Sequence, residues 1–241
     1  MFKKPPVVDY RQFRLSKLNE PEFSHLKLLG GWIAYFALYF LTENLIPQSR
    51  CHIVHSALDD MIPFLEGFAI PYCFWFALIV ISLGWFLLYD VDSFRKLQVF
   101  IMVTQAVAML CYIIWPSMQD LRPTVFPRDN FLTRVMAFIY RFDTPTGVCP
   151  SLHVAYSLGM ASVWCKCRKA SPVWKGFVVI AAAVISIATA FVKQHSVIDI
   201  AAAIPVGLLA EYLIYGRGAA VRRRLFRRKI RHFALHMQAL R

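Results

Sequence analysis

The segment EGFAIPYCFWFALIVISLGWFLL, residues 66–88, carries a single charged side chain, at its first position. An apolar run of roughly 18 or more residues is long enough to cross the hydrocarbon core of a bilayer as a helix. No water is available in that layer, so a crossing segment must be helical to satisfy its own backbone N–H and C=O groups. The segment therefore predicts a transmembrane helix, and with it a membrane protein.

Five more segments follow the same pattern, at 27–46, 97–115, 150–166, 174–192 and 197–215. The 241 residues are 58% hydrophobic and only 17% charged, whereas soluble domains carry about a quarter charged residues. The predicted fold is an all-α, six-helix transmembrane bundle. It comprises an N-terminal arm (1–25), a six-span membrane domain (26–216) and a basic tail (217–241). The arm has no apolar core, so it does not read as a signal peptide.

Orientation follows from the basic residues, which favour the cytoplasmic side. With both termini in the cytoplasm, 21 of the 27 lysines and arginines lie inside and six lie outside. This predicts a multi-pass protein of the cell membrane. Much of the net charge of +13 lies in the tail, which directly follows a span. Its expected partner is therefore anionic lipid and not nucleic acid, and a simple topology anchor is the plainer interpretation.

The long outer loop, 117–149, keeps four arginines on the side that normally avoids them. Long structured loops are often functional. Within this loop, FLTRVMAFIYRF (131–142) has the pattern of an amphipathic helix that could lie along the membrane interface. Its expected lipid-facing residues are Phe131, Val135, Phe138 and Ile139, and its expected outward residues are Arg134 and Arg141.

Three polar stretches fall at the outer ends of predicted spans. They are DLRP (120–123), PSLH (150–153) and KQHSVID (193–199). Taken singly, each has an ordinary explanation. His153 can be an interfacial histidine, Ser151 can cap a helix, and Lys193 can extend to the headgroups. Together they gather two histidines and an aspartate with Arg122, Ser151 and Lys193 on one face of the membrane.

Asp199 is harder to explain as structural, because a carboxylate one turn into an apolar segment costs a few kcal/mol and usually faces a partner. His195 precedes it by four residues and shares its face on a continuous helix. Alternatively, Ser196 and Asp199 form a capping box at the start of the helix. The sequence leaves both arrangements open.

A His–Asp pair can serve a nucleophile or a base, because the carboxylate takes the Nδ1 proton and leaves Nε2 free. His153 is then available as a general acid. Arg122 and Lys193 supply positive charge, and the N-termini of spans four and six supply peptide N–H groups. Such donors around a nucleophile suit a phosphoryl group.

PSLH, the later KQHSVID and the upstream LRP resemble the three motifs of the type 2 phosphatidic acid phosphatase superfamily, over roughly residues 30–215. The resemblance implies a six-helix bundle without metal or cofactor. It implies that His195 is the nucleophile that forms a phosphohistidine, with Asp199 orienting it. It further implies that His153 protonates the leaving alcohol and that Ser151 and Arg122 bind phosphate.

The sequence departs from these motifs at two cation positions, where Trp115 stands in place of a lysine and Thr189 in place of an arginine. Ala188 stands in place of the serine before that arginine, and Leu152 in place of the glycine of PSGH. Lys193 is a candidate replacement cation. Other candidates are Arg128, Arg134 and Arg141. The PSLH form is similar to a branch that includes inositol-phosphorylceramide and sphingomyelin synthases.

The expected function is hydrolysis of a lipid phosphate, a phosphomonoester or pyrophosphate, on the extracytoplasmic side. One alternative is transfer of a phospho-head group to a lipid alcohol, and another is lipid binding without catalysis. No metal is expected, because the spacing of the histidines and aspartates at 52–60 is not diagnostic. Cys51 and Cys149 lie in outer loops and can pair if that compartment is oxidising.

Overall fold

The computed structural model describes residues 5–216, and this part of the chain is mostly helical. The helices are α1 (Gly30–Leu45), α2 (Ala57–Met61), α3 (Ala69–Tyr89), α4 (Val91–Ile114), α5 (Phe131–Phe142), α6 (Leu152–Lys166), α7 (Pro172–Phe191) and α8 (Val197–Glu211). Two short strands are β1 (His52–Ile53) and β2 (Ser117–Met118). The predicted basic tail, with its expected contact to anionic lipid, lies outside the described residues.

Four helices of the described chain are long and apolar enough to cross a membrane. They are Glu66–Tyr89, Val91–Ile114, Pro172–Phe191 and Val197–Gly216, and each coincides with a predicted span. The other two predicted spans form α1 and α6, with 16 and 15 residues. At ~1.5 Å per residue these helices are about 24 and 22 Å long, which is less than a hydrocarbon layer of about 30 Å.

Side-chain caps set the helix ends that hydropathy misses. α4 begins at Val91, and not at 97, because the Asp90 side chain accepts a hydrogen bond from Ser93 N. Charged residues in its first turns, which hydropathy excludes from an apolar segment, therefore lie inside the helix. α7 likewise begins at Pro172, because Ser171 caps it and proline suits a first turn.

The short helix α6 is central and packs against α4, α7 and α8. Its Tyr156, Met160 and Trp164 are almost wholly buried. Gly159 allows α4 to approach closely, because a Cβ built there would lie 2.5 Å from the Phe100 ring. A helix enclosed in this way can be shorter than the membrane, since non-helical backbone at its ends is tolerated where protein surrounds it.

Polar contacts join the ends of α4, α6 and α8 at one end of the bundle, which we call the site end. The hydroxyl of Tyr112, near the end of α4, donates to Pro150 O at 2.8 Å. Ser151 N, at the start of α6, donates to Asp199 O in the first turn of α8 at 3.1 Å. All three stretches singled out in the sequence therefore lie near one another, at the site end.

The mainly helical fold also contains a short parallel ribbon at the site end, formed by β1 and β2. His52 N donates to Pro116 O at 2.8 Å, and Val54 N donates to Met118 O at 2.7 Å. The ribbon forms because the loop after α1 runs beside the loop after α4. It holds the segment 51–62 against the rest of the site end.

The predicted amphipathic piece forms α5, which Asn130 caps by accepting hydrogen bonds from two backbone N–H groups. Thr133 and Met136 are its buried residues. Phe131 and Phe138 are exposed, as expected for lipid-facing side chains, whereas Ile139 is partly buried and packs against the protein. The arm also differs from a separate element. Phe23 and His25 are buried, and the Tyr10 hydroxyl donates to Leu87 O.

Candidate active site

The turn between α7 and α8 presents a buried His–Asp pair. His195 Nδ1 lies 3.2 Å from Asp199 Oδ2. Ser196 N donates to the same oxygen at 2.9 Å, and Ser196 Oγ accepts from Ile198 N at 3.1 Å. The structure therefore has the second of the two arrangements left open by the sequence, because α8 begins at Val197 after the Ser196 cap and His195 precedes the helix. The carboxylate of the capping box nevertheless contacts the imidazole of His195. Asp199 has no exposed surface.

His153 meets this pair from the first turn of α6. Its Nδ1 lies 3.4 Å from His195 Nε2, and its ring lies between Trp75 and Tyr72, with centroids 4.1 and 4.7 Å away. His153 Nε2 is buried without a hydrogen-bond partner among the described residues. If the Nδ1–H of His195 donates a hydrogen bond to Asp199, the Nε2 lone pair of His195 faces His153, which then donates from its own Nδ1–H.

Ser151 does not point into the space around the histidines. Its side chain is fully buried and caps α6 by accepting from Val154 N at 3.4 Å. The neighbouring Cys149 lies near Asp199. Burial and the Asp199 carboxylate together raise the pKa of the Cys149 thiol to about 12. Cys51 and Cys149 are both free thiols in the structure.

Arg122 is fully engaged as a cross-link between α5 and the α7–α8 turn. Its guanidinium donates to the carbonyls of Tyr140, Asp143 and Thr144 at 2.8–3.2 Å and to Gln194 Oε1 at 2.6 Å. Burial lowers its pKa. The one remaining donor, Nε, is buried and unpartnered. Arg122 therefore lies beside the site, but its amino groups are already taken.

Lys193 also directs its charge away from the histidines. Its backbone is left-handed, with φ of 53°, a conformation that is uncommon for residues other than glycine. Its ammonium donates to Asp59 O at 2.7 Å, and burial lowers its pKa. Among the other candidate cations, Arg128 pairs with Glu66 and Arg134 with Asp129, and Arg141 is exposed near the end of α5.

The expectation that the N-terminus of α8 points at a phosphate is wrong. Val197 N donates to Asp59 Oδ1 at 2.8 Å, and Ser196 Oγ donates to Asp59 Oδ2 at 2.6 Å. A carboxylate from the segment after α1 thus occupies the positive end of the helix. The sequence shows Ser56 and Asp59 at capping-box spacing, but that pattern predicts only the start of α2.

A cavity of about 630 Å³ opens beside the two histidines, between α1, α3, α5 and α6. Its walls are mainly aromatic. They include Trp32, Tyr35, Phe36, Tyr39, Tyr72, Trp75, Phe76, Phe138 and Phe142. Its polar residues include His153, His195, Gln194 and Asp143. Among the described residues, no lysine or arginine lines it.

Asp143 is a member of this site that sequence reasoning missed. Its carboxylate accepts from the Tyr39 hydroxyl at 3.2 Å and from Gln194 Nε2 at 3.1 Å. Burial raises its pKa. Asp143 follows α5 in a loop, where acidic residues are common and predict no function. The only sequence feature that linked it to the site was its position ten residues before His153. Gln194 was overlooked as a bridge between Asp143 and Arg122.

Comparison of the chain with protein-family models, with curated proteins and with solved structures finds no match. The resemblance to the phosphatase superfamily therefore depends on the motif residues themselves. Those residues form a His–His–Asp cluster at the end of an aromatic cavity. The predicted phosphate ligands Arg122, Ser151 and Lys193 surround the cluster without lining the cavity.

Proposed function

We propose that the protein is a membrane lipid phosphatase that hydrolyses a phosphomonoester or pyrophosphate of a lipid through a phosphohistidine. The observation that carries this proposal is the contact of His195 with both Asp199 and His153 at the edge of an aromatic cavity. A hydrophobic cavity with a few convergent polar groups is typical of a ligand site. The four helices of membrane-spanning length suit a substrate with hydrocarbon chains.

In the proposed reaction, His195 Nε2 attacks phosphorus in line with the leaving oxygen. The P–O bond to the lipid breaks, and His153 donates a proton to the leaving alcohol. Water then attacks the phosphohistidine, His153 accepts its proton, and the N–P bond breaks to release phosphate. Asp199 supports the charge that His195 develops. Because His195 Nε2 lies 3.4 Å from His153 Nδ1, substrate entry must separate these two nitrogens.

In the proposed membrane arrangement, six helices cross the cell membrane, with both termini cytoplasmic and the site extracytoplasmic. α6 spans only about 22 Å, so His153 in its first turn lies below the membrane surface. The cavity meets lipid between α1 and α3, and aromatic side chains cover much of its wall. A substrate therefore enters sideways, with its chains against these rings and its phosphate at the histidines.

A second candidate is transfer of a phospho-head group to a lipid alcohol. The observation that favours it is the charge of the cavity, where Asp143 is present and no cation is found among the described lining residues. A phosphomonoester carries about −1.5 to −2 charge at neutral pH, whereas a phosphodiester carries a single negative charge. A cavity without lysine or arginine is therefore better suited to a phosphodiester than to a phosphomonoester, because the diester has less negative charge to neutralise.

The remaining alternative, lipid binding without catalysis, leaves the buried polar cluster unexplained. Asp199 is fully buried in the first turn of an apolar helix, and His153 keeps an unpartnered nitrogen in an aromatic cage. Buried polar groups without full compensation cost stability. Binding hydrocarbon chains alone does not require buried Asp199 and His153, so their burial would lower stability without serving that function.

The proposal is tested with purified protein and a panel of lipid phosphates, by measuring released phosphate and new phospholipid separately. We expect phosphate release that His195→Ala abolishes and that the matched control His52→Ala retains, because His52 stacks on Trp115 outside the cavity. Undiminished release by His195→Ala would contradict the mechanism. Head-group transfer without phosphate release would establish the second candidate.

A further inference from the structure

Asp59 is a buried carboxylate outside the proposed mechanism, yet it contacts the turn that carries His195. It is 2% exposed. Its oxygens accept from Ser196 Oγ at 2.6 Å and from Val197 N at 2.8 Å, while its backbone carbonyl accepts from Lys193 Nζ at 2.7 Å. One residue of the segment 51–62 therefore holds the α7–α8 turn on both sides of His195.

The hydrogen bond from Ser196 Oγ to Asp59 influences His195 through Asp199. Ser196 N donates to Asp199 Oδ2, the oxygen that contacts His195 Nδ1. Ser196 Oγ donates to Asp59 and accepts from Ile198 N, so Asp59 fixes the rotation of the hydroxyl that caps the helix. Without Asp59 the hydroxyl is free to turn, and the capping box that holds the Asp199 carboxylate loosens.

Asp59 is itself held firmly enough to act in this way. Its Oδ2 also accepts from Ser56 N at 2.8 Å within α2. The segment is anchored to the rest of the site end by the β1–β2 ribbon and by His55, whose Nδ1 lies 2.9 Å from Asp120. The contact of His55 Nε2 with Asp60 lies within the segment and does not anchor it. The carboxylate is thus presented from a braced loop, which a positioning role requires.

We infer that Asp59 is a positioning residue for the His195–Asp199 pair. It fixes the cap of α8 and places a negative charge beside the positive end of the helix, so that Asp199 is held against His195 Nδ1. This inference rests on the proposed function for its effect on catalysis. Its effect on the imidazole itself is independent of any activity.

The test compares Asp59→Asn with Asp60→Asn. Asparagine keeps the volume and one acceptor oxygen but loses the charge and the second acceptor. Residues that orient the ligands of a metal site contribute about 10–100-fold to activity. By analogy we expect kcat of Asp59→Asn to fall by about that factor, with KM little changed. Asp60→Asn, whose carboxylate is exposed beside His55, should retain kcat within about twofold.

A second readout follows the His195 ring by NMR of protein labelled with ¹⁵N-histidine, assigned with His195→Gln. The Nδ1–H proton bonded to Asp199 should exchange with solvent faster in Asp59→Asn and in Ser196→Ala than in wild type or Asp60→Asn. If wild type shows no phosphatase or transferase activity but the exchange rates differ as stated, the proposed function fails and the positioning role stands.

Unchanged kcat and unchanged Nδ1–H exchange in Asp59→Asn would overturn the inference, as would an equal fall in Asp60→Asn. If Asp59→Asn does not fold, Ser196→Ala decides, because it removes the hydroxyl contact and leaves Asp59 with Val197 N. Folded Ser196→Ala with wild-type kcat and exchange would then overturn it. If the Asp59→Asn/Ser196→Ala double variant folds, its kcat should fall no further than that of the more impaired single variant.

Discussion

Arg122 shows that the role of a charged residue is set by its partners. Its position in the LRP stretch resembles that of a phosphate ligand, but its amino groups donate to three carbonyls and to Gln194. These bonds fix the α7–α8 turn to the end of α5. The contribution of Arg122 to the site is therefore expected to be structural first.

Arg122→Gln should lower the free energy of unfolding by about 3 kcal/mol, because three carbonyls lose a donor at ~1 kcal/mol each. The inhibition constant for inorganic phosphate should change less than threefold. Denaturant unfolding and competition assays measure the two effects. A tenfold weaker phosphate inhibition with unchanged unfolding would instead make Arg122 a direct phosphate ligand.

His153→Gln should lower the hydrolysis rate of a lipid phosphomonoester by about 10²–10⁴-fold, the usual contribution of a general acid. The loss should be smaller for p-nitrophenyl phosphate, because its leaving group needs no proton. The comparison is of kcat/KM for the two substrates, which reports the steps up to release of the leaving group and not the later attack of water, with His52→Gln as a control. Equal losses for both substrates would contradict the assignment of His153 as the acid.

At the scale of elements, α5 connects the cavity with its surroundings. Phe138 and Phe142 line the cavity and contact each other with tilted rings, whose centroids are 4.6 Å apart. Their side chains are 63% and 71% exposed. Phe131, at the start of the same helix, is equally exposed but does not line the cavity. The two ends of α5 are therefore suited to a matched comparison.

Removing both Phe138 and Phe142 by alanine substitution should raise KM several-fold for a long-chain substrate and leave KM for a short-chain analogue unchanged. The reason is the loss of apolar contact, at about 25 cal/mol per Å², where the lipid chains enter. Phe131→Ala should behave as wild type. A matching rise in KM for the short-chain analogue would show that α5 acts on the histidines and not on the chains.

The segment 51–62 carries a pH-dependent brace. Hydrogen bonds to Asp120 and Asp60 raise the pKa of His55 above its usual value of 6.5. Its stabilising contribution is therefore complete below pH 6.5 and is lost as pH rises through the raised value in the folded protein. The thermal stability difference between wild type and His55→Gln should shrink over that window. A difference that stays constant from pH 5.5 to 9 would refute the brace.

Helices were predicted from the sequence more accurately than the contacts between them. Six helices were found from apolar runs, and α5 from its amphipathic pattern, because these signals are local. The caps at Asp90 and Ser171 moved helix starts that hydropathy alone placed later. The β1–β2 ribbon and the grip of Asp59 on Ser196 join residues far apart in the chain, so no local pattern could predict them.

The same distinction applies to the site. His153, His195 and Asp199 were found from motif spacing, and the structure brings them into contact. The surrounding charge was not predictable, because Arg122 and Lys193 turn away through bonds to backbone carbonyls and, for Arg122, also to the Gln194 side chain. Asp143 enters the cavity through its contacts with Tyr39 and Gln194, which no spacing rule encodes.

For the whole molecule, the proposed orientation predicts which end meets the outside. In variants with a single cysteine, Val125→Cys at the site end should react with a membrane-impermeant maleimide in intact cells. Cys165, exposed at the other end of α6, should react only after permeabilisation. Val125 is 80% exposed, so burial does not limit its labelling. The reverse pattern would invert the orientation and place the site in the cytoplasm.

The contact between Asp59 and Ser196 spans 137 residues of chain. During synthesis the segment after α1 leaves the ribosome early, and α8 follows only after the intervening helices. Asp59 therefore lacks its hydrogen-bond partners Ser196 and Val197 until α8 is inserted. The helix that brings the proposed nucleophile also brings the groups that complete its surroundings. A half-made chain would consequently lack the proposed nucleophile, and the proposed activity would begin only once α8 is in place.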